Sequence, residues 1–311
     1  MVSAAVRLEP VLQALPAAKA QRVEIALRQV SVAYRAGKDG VKTVLAGIDL
    51  EIAAGEFVVL LGETGCGKST LLRLILGQEF PSSGDVIVDG KAVKRIDARS
   101  GYVPQKYSLF PDRTVLSNVM YGPENVRGGW LSRLSPSYRR FQKDLRAEAV
   151  SYLKRMGLRE QDMTKYPHQL SGGMQQRVAI AQALLMRPPV LLMDEAFSAL
   201  DPSTRASLQG QLHAIWAESR PTIVFVTHNT SEALHLGTRL ILLGRHQDGQ
   251  TRSNVLLDME LSTARFPFER RRQSSEFKEL HDYVKRVAFE ASSMNREEGK
   301  VQSIMTEAEL G

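Results

Sequence analysis

The stretch that most constrains this chain is a glycine-rich loop between an apolar strand and a helix. Residues 62–69 read GETGCGKS and satisfy the pattern G-x-x-x-x-G-K-[ST]. The apolar run 57–61 precedes the loop, and an apolar, helix-forming stretch begins at Leu71. Glycines let the backbone curl so that several N–H groups and the helix N-terminus point at one anion. The stretch therefore predicts a strand–loop–helix unit that binds a nucleoside triphosphate.

Two side chains of this loop have the chemistry that a magnesium nucleotide requires. Lys68 would neutralise the β- and γ-phosphates, and the Ser69 hydroxyl would ligate Mg²⁺. A carboxylate is expected elsewhere, because Mg²⁺ takes oxygen ligands and an attacking water needs a base. Asp194 and Glu195 supply carboxylates for both purposes directly after the apolar run 190–193. Adjacent carboxylates at a strand end repel each other unless a cation or a function compensates.

Length, composition and charge exclude few classes of function. The 311 residues allow one large domain or two, and 43% hydrophobic with 24% charged residues is typical of a globular protein. No apolar run approaches the roughly 18–20 residues that cross a bilayer. The net charge of +7 is spread along the chain, and its densest run, Arg270–Arg272 beside Glu269, is expected to be solvated. The single cysteine, Cys66, excludes an internal disulfide and fits a reducing cytoplasm.

The first ninety residues favour antiparallel strands around the strand–loop–helix unit. Apolar residues alternate from Val23 and continue on a shifted phase from Val30 to Tyr34, which indicates a bulge near Arg28 and Gln29. Residues 36–40 and 81–84 are typical of turns.

The region 112–170 instead favours a helical subdomain. Apolar residues recur at helical spacing from Phe141 to Met156, with Ser135 and Pro136 as a start and Gly157 as a stop. Beyond it, the short runs 190–193 and 222–226 alternate with helical segments near 174–186 and 204–218. That alternation predicts a parallel sheet with crossover helices.

Three further stretches become informative in combination. LSGGMQQR at 170–177 is a second glycine turn that leads into a helix N-terminus. Gln105 follows the short strand ending near Val103, and His228 follows the strand 223–226. A lone glutamine or histidine is more often structural than catalytic, so none of the three decides a function alone.

Together, and in this order, the motifs resemble the ATP-binding cassette (ABC) ATPases over about residues 22–245. The matching segments are the Walker A loop 62–70, the Q-loop residue Gln105, the signature 170–177, Walker B 190–194, Glu195, the D-loop 198–201 and the switch histidine His228. Tyr34 stands where the family has its adenine-stacking aromatic; the alternative is a half-buried strand tyrosine. The resemblance implies an α/β fold: a P-loop NTPase (ABC ATPase) core with a parallel sheet, an antiparallel β subdomain and an α-helical subdomain.

What the resemblance implies for function is a head-to-tail homodimer that holds two ATP molecules between its subunits. The implied nucleotide-binding residues are Tyr34, Gly62, Glu63, Thr64, Gly65, Cys66, Gly67, Lys68, Ser69, Thr70, Ser171, Gly172, Gly173, Gln175 and Asp201. The implied catalytic residues are Glu195, His228, Gln105 and Lys68, and the implied Mg²⁺ ligands are Ser69, Gln105 and Asp194. Glu195 would polarise the attacking water, and His228 would contact the γ-phosphate and, through Asp201, the other subunit.

Two positions depart from the family pattern. Asn229 stands where Asp usually follows the switch histidine, and Ala196 stands where Pro usually follows the catalytic glutamate. Neither removes a phosphate or metal contact, so the protein is expected to hydrolyse ATP. We also expect alkylation of Cys66 to block the activity and bound ATP to protect it.

Among ABC proteins, the sequence favours the motor subunit of an importer. A single cassette disfavours the ribosome-acting tandem class, and the lack of a long coiled coil disfavours chromosome-organising ATPases. A regulator that does not hydrolyse ATP should have lost Glu195 or His228, and both are present. The implied partners are a separate membrane permease and, indirectly, a periplasmic binding protein, with no nucleic acid. The implied location is the cytoplasmic face of the bacterial inner membrane.

Details of the sequence most resemble the nitrate/sulfonate/taurine importer group. They are residues 71–73, 109–111, 114–115 and 274–277. Importers of another small solute, such as a polyamine, an osmolyte or an amino acid, remain open. The stretch 122–142 is longer than the corresponding stretch in that group. One hypothesis is that it adapts the protein to a particular permease, and the alternative with equal weight is a passive surface loop. Residues 1–21 are expected to be a flexible tail, and 246–311 an extension with a short helix at 274–291 and a loose end.

Overall fold

The structure is a computed structural model that describes residues 22–36, 40–96, 99–106, 108–127, 135–246 and 253–291. Those residues form two compact units. The first holds the chain up to Lys94 and again from Val226, and the second runs from Arg95 to Phe225. The expectations for the tail 1–21, for the glycines and tryptophan at 128–130 and for the chain after 291 lie outside the described residues.

Strands and helices follow one another along the described part of the chain. In chain order they are β1 (Val23–Ala36), β2 (Gly40–Ala53), β3 (Phe57–Gly62), α1 (Lys68–Leu76), β4 (Ser83–Val88), β5 (Lys91–Ala92), β6 (Ser100–Val103), α2 (Val115–Arg127), α3 (Pro136–Arg155), α4 (Gly172–Leu185), β7 (Val190–Asp194), α5 (Pro202–Ser219), β8 (Thr222–Thr227), α6 (Thr230–Leu236), β9 (Arg239–Leu243), β10 (Val255–Glu260) and α7 over 275–291. Short 3₁₀ turns lie at Glu160–Asp162, Pro167–Gln169, Ser262–Arg265 and Phe268–Gln273.

An antiparallel sheet in the order β2-β1-β4-β5 forms one layer of the first unit. The register of β1 against β2 breaks between Leu27 and Val30, and Gln29 takes a φ of 50°. The extra residue moves the apolar side chains that follow onto the other phase of the strand. The predicted bulge is therefore confirmed.

The strand before the phosphate loop is fully buried in the first unit. β3 pairs in parallel with β9, and this register sets Gly62 beside Leu243. β10 then pairs antiparallel with β9. Because parallel strands end at one edge of a sheet, the residues after β3 and after β9 lie close together.

In the second unit, three helices pack beside a pair of parallel strands. β6 pairs with β7 in a register that joins Val103 to Met193. The Ser135 side chain accepts a bond from Tyr138 N at 3.2 Å and caps α3, and Gly157 takes a φ of 77° after its end. The predicted helix, with its start and its stop, is confirmed.

The expectation that the basic run 270–272 is solvated is wrong for Arg271. This side chain is only 3% exposed, and its guanidinium donates to His235 O at 2.9 Å and to Ala264 O at 3.3 Å. The last carbonyls of a helix have no partner within the helix and carry a partial negative charge. Arg271 satisfies them at the end of α6 and ties the segment that holds Arg271 to this helix.

Candidate functional site

The phosphate loop leaves the start of α1 available to an anion. Gly67 is the N-cap of α1, and no side chain in the described part of the chain accepts a hydrogen bond at this cap. Gly62 begins the loop against β9, where a Cβ would lie 2.4 Å from Leu243 O. The loop therefore needs glycine at Gly62 for close backbone approach, and it presents uncapped N–H groups at a helix N-terminus.

Lys68 places a positive charge inside this loop. The side chain is 6% exposed, and Nζ donates to Gly62 O and Glu63 O at 2.8 Å each. A buried ammonium is stable only when hydrogen-bonded, and here the loop carbonyls provide the bonds. The residues present fit a magnesium nucleotide: amide donors, an ammonium and the Ser69 hydroxyl. Bound ATP would supply the transferable phosphoryl group, and Mg²⁺ would neutralise its charge.

Cys66 is part of the loop interior. Its side chain is 1% exposed, and Sγ lies 3.8 Å from Lys68 Nζ. Burial raises the pKa of the thiol, although the Lys68 charge acts in the opposite direction. The thiol is therefore protonated near neutral pH and a weak nucleophile.

Tyr34 stands beside α1. It is 38% exposed, and its hydroxyl donates to the Glu79 carboxylate just beyond the end of the helix. Burial, followed by the interaction with Glu79, raises the pKa of the phenol, and a hydrogen bond with Thr70 lowers it. The ring of Tyr34 thus lies beside α1, the helix that follows the phosphate loop.

His228 reaches the same region from the end of β8. It lines a pocket of about 440 Å³ together with the loop residues Gly62–Thr64, the end of β9 and two alanines of α7, Ala288 and Ala291. Asn229 caps α6 by accepting a bond from Glu232 N at 3.0 Å. Asn caps a helix as well as Asp does, which explains why this departure from the family pattern is tolerated.

The second unit brings the predicted base to the Q-loop glutamine. Gln105 lies two residues beyond β6 and Glu195 one residue beyond β7, and Gln105 Nε2 donates to Glu195 Oε2 at 3.1 Å. Glu195 has a φ of 46°. This left-handed conformation is uncommon outside glycine and concentrates at functional sites. Asp194 is the half-buried last residue of β7.

The glycine turn of the signature forms the N-terminus of α4. Ser171 is the N-cap, and its side chain accepts a bond from Met174 N at 3.3 Å. Gln175 Nε2 donates back to Leu170 O at 3.2 Å. Ser171 and Gly172 are exposed, and Gly173 is half-buried, with a Cβ there 3.1 Å from Thr204 Cγ2. A partner can therefore reach this helix end from solvent.

Asp201 is the N-cap of α5. Its carboxylate accepts from Ser203 N at 3.1 Å and Thr204 N at 3.0 Å, and the hydrogen bonds from Ser203 and Thr204 hold its pKa well below the usual range. Arg205, which the sequence analysis missed, donates to Phe197 O at 3.2 Å and Leu200 O at 2.8 Å. This arginine shapes the D-loop from one turn further along α5.

The predicted site residues thus form two groups, each inside one unit. The first unit collects Tyr34, the loop Gly62–Thr70 and His228, and the second collects Gln105, Ser171–Gly173, Gln175, Asp194, Glu195 and Asp201. Besides Arg205, the sequence analysis missed Arg245, which contacts the phosphate loop at Thr64 O. Neither arginine belongs to a recognisable motif. The signal in the sequence is position alone, because Arg205 closely follows the D-loop and Arg245 closely follows β9.

Three comparisons with known proteins all point to ATP-binding proteins of ABC transporters. Residues 45–198 match the family model described as ABC transporter. The aliphatic sulfonates import ATP-binding protein SsuB of Bacillus cereus is 34% identical over 84% of this chain and 94% of its own length. The glycine betaine/carnitine/choline transport ATP-binding protein OpuCA of Bacillus subtilis is 39% identical over 70% of this chain, which spans 54% of that relative. The dimeric ATP-binding cassette MJ0796, in a post-hydrolysis state with ADP and phosphate, superposes with a TM-score of 0.62 at 33% identity, covering 76% of this chain and 98% of its own.

Proposed function

This chain belongs to the ABC transporter family of ATPases, and we propose that it hydrolyses ATP to drive an importer of a small anion such as nitrate, sulfonate or taurine. The observation that carries the anion assignment is the extent of the match to SsuB. It covers 84% of the chain, more than the cassette 22–245, so it includes part of the flanking segments. The match to OpuCA covers 70%. An osmolyte importer is the second candidate, favoured by the 39% identity to OpuCA.

For hydrolysis, we propose that Glu195 polarises the attacking water and that Gln105 orients it. The hydrogen bond between the two side chains supports these roles. Phosphoryl transfer depends mainly on positioning and charge neutralisation. Lys68 would bind the phosphates, His228 would contact the γ-phosphate, and the oxygens of Ser69, Gln105 and Asp194 would hold Mg²⁺. Tyr34 would stack on the adenine.

We propose a head-to-tail homodimer as the active form. The exposed helix N-terminus at Ser171 and Gly172 supports this, because N–H groups there can close on the γ-phosphate of an ATP held by another copy. Asp201, also exposed, would meet His228 of the other copy. The dimeric structure of MJ0796 with ADP and phosphate supports a dimeric active form.

The permease would dock on an aromatic surface of the second unit. Phe110 is 38% exposed, and its ring centroid lies 4.5 Å from that of Tyr121. The Arg113 guanidinium carbon lies 4.4 Å from the Tyr121 centroid. Buried Asn118 fixes the loop, with Nδ2 donating to Phe110 O and Arg113 O at 3.1 and 3.0 Å. Phe110 is exposed, and Tyr121 and Arg113 are half-buried. Aromatic and arginine side chains held rigidly at a surface suit a protein interface.

The stretch 122–142 borders this surface in sequence, and its flanks are packed. The Arg127 guanidinium carbon lies 4.3 Å from the centroid of Phe141, and Tyr138 is buried. Arg139 and Arg140 are exposed. We propose that the stretch fits a particular permease; a passive loop is the alternative, and deletion without loss of transport would favour it.

The proposed location is peripheral, at the cytoplasmic face of the inner membrane beside the permease. Among the described helices, none combines the length and apolar character that crossing a bilayer demands. A periplasmic binding protein would act with the permease on the opposite side.

Uptake assays test the proposal as a whole. A strain lacking this gene, complemented with wild type or Glu195→Gln, is assayed for uptake of labelled taurine, an alkanesulfonate, nitrate and glycine betaine. We expect uptake of one small anion to be lost, restored by wild type and not by the variant. Loss of glycine betaine uptake alone would favour the osmolyte importer, and unchanged uptake of every solute would contradict a transport role.

A further inference from the structure

Arg245 contacts the phosphate loop from the end of β9. It lies two residues beyond Leu243, the partner of Gly62 in the parallel register. Its Nη2 donates to Thr64 O at 2.7 Å, and its Nε lies 3.9 Å from Glu63 Oε2. All these residues belong to the first unit. None of the roles assigned above uses this arginine.

The bond to Thr64 O fixes the orientation of the next amide. A trans peptide is planar, so the carbonyl of Thr64 and the N–H of Gly65 point in opposite directions. Gly65 has a φ of 84°, and among the described residues no atom lies within 4 Å of where its Cβ would be. Because glycine accepts both signs of φ, Gly65 itself sets no steric barrier to turning this peptide over. The hydrogen bond that Thr64 O accepts from Arg245 therefore fixes the orientation of the Thr64–Gly65 peptide plane.

The ion pair with Glu63 is the weaker of the two interactions. Both side chains are 57% exposed, and the separation of 3.9 Å exceeds a hydrogen bond. Exposed pairs of this kind contribute little to stability. The guanidinium nevertheless reduces the local negative charge that Glu63 adds beside a loop that binds phosphates. The hydrogen bond at Thr64 O is therefore the main effect, and the charge is secondary.

We propose that Arg245 is a positioning residue for nucleotide binding, which holds the Thr64–Gly65 peptide so that the Gly65 N–H faces the phosphates. The inference rests on the proposed phosphate role of the loop. Removing the arginine lets the peptide turn, and a turned peptide presents a carbonyl oxygen to the anion. Affinity for ATP falls because only the correctly oriented population binds.

The test compares Arg245→Ala, Arg245→Lys and the matched control Arg22→Ala. Arg22 is likewise exposed and paired, with Asp89 and Glu24, in the same unit. Binding of a non-hydrolysable ATP analogue with Mg²⁺ is measured by calorimetry, and hydrogen exchange of peptide 62–67 is measured without nucleotide. For Arg245→Ala we expect about three- to tenfold weaker binding and faster exchange, as for loss of one charge-assisted bond. Lysine should restore binding to within about twofold, since it can still donate to Thr64 O.

Two results would overturn the inference about Arg245 and leave the proposed phosphate site standing. In the first, Arg245→Ala binds the analogue like wild type. In the second, the lysine variant is as weak as the alanine variant and both melt at a lower temperature without nucleotide, which would indicate a structural role only. If wild type itself does not bind the analogue and Lys68→Ala changes nothing, the proposed phosphate site fails and the inference fails with it.

Discussion

The phosphate loop and the signature turn both lead into a helix N-terminus, yet their surroundings differ. The loop is anchored at both ends, although residues 63–65 are exposed: Lys68 is 6% exposed, Gly62 lies against Leu243, and Arg245 donates to Thr64 O. The turn is open, with Ser171 and Gly172 at the surface. Ser171 caps its own helix, whereas no described side chain caps α1 at Gly67.

The two proposed phosphate-binding regions therefore differ in kind. In the proposed roles, the loop is preorganised within its own unit and would bind phosphates without a partner copy. The turn satisfies part of its helix end locally and presents the rest outward, which suits a surface that acts only when another molecule covers it. Binding and hydrolysis should therefore respond to different substitutions, and the following experiments test that separation.

The largest expected effect is on hydrolysis, from Glu195→Gln. The amide oxygen can still accept the bond from Gln105, but it cannot act as a base, so kcat should fall by about 10²–10⁴-fold. ATP affinity should remain near wild type, because the phosphates are held elsewhere. Glu218→Gln is the matched control: it removes an exposed carboxylate paired with Arg155 and should leave kcat unchanged. Normal hydrolysis by Glu195→Gln would refute the assigned role.

A smaller effect is expected at the D-loop. Asn and Asp cap helices equally well, so Asp201→Asn should keep the melting temperature of wild type, whereas Asp201→Ala should lower it. If the carboxylate also meets the other subunit, both variants should lose turnover. The measurement is kcat beside thermal melting for both variants. Full turnover in Asp201→Asn would show that the residue only caps α5.

The smallest effect concerns the rate at which Cys66 is alkylated. The thiolate reacts, and burial raises the pKa of this thiol, so labelling by iodoacetamide should be slow at neutral pH. The rate should rise with pH through a range above that of an ordinary thiol, and bound ATP should slow it. Since Cys66 is the single cysteine, mass spectrometry reports on it alone. Labelling as fast as in the unfolded chain, or full ATPase activity after complete labelling, would contradict this account.

Much of the fold could be predicted because the relevant signals are local. The phase slip near Gln29 gives the bulge, Ser135 gives the start of α3, and Gly157 gives its stop. The roles proposed for the motif residues rest on chemistry instead: few other roles require glycine loops or paired acids at strand ends.

The arginines were not predictable from the sequence because their partners are distant backbone atoms. Arg271 was expected in solvent and instead satisfies the end of α6, and Arg245 reaches Thr64 across 181 positions. Every residue has a backbone carbonyl, so the identity of a residue does not indicate whether its carbonyl accepts a bond from an arginine. Which carbonyl an arginine meets depends on the register of β3 against β9, and that register is known only from the fold.

The central claim, that each site is shared between two copies, is tested most directly by mixing two inactive variants. Lys68→Ala should abolish the loop half, and Ser171→Arg should block the signature half; each alone should be inactive. In mixed dimers one of the two sites combines an intact loop with an intact signature turn. We predict that mixing restores ATPase activity to about a quarter of wild type, from half the dimers carrying one complete site. No activity above the sum of the separate variants would contradict a shared site.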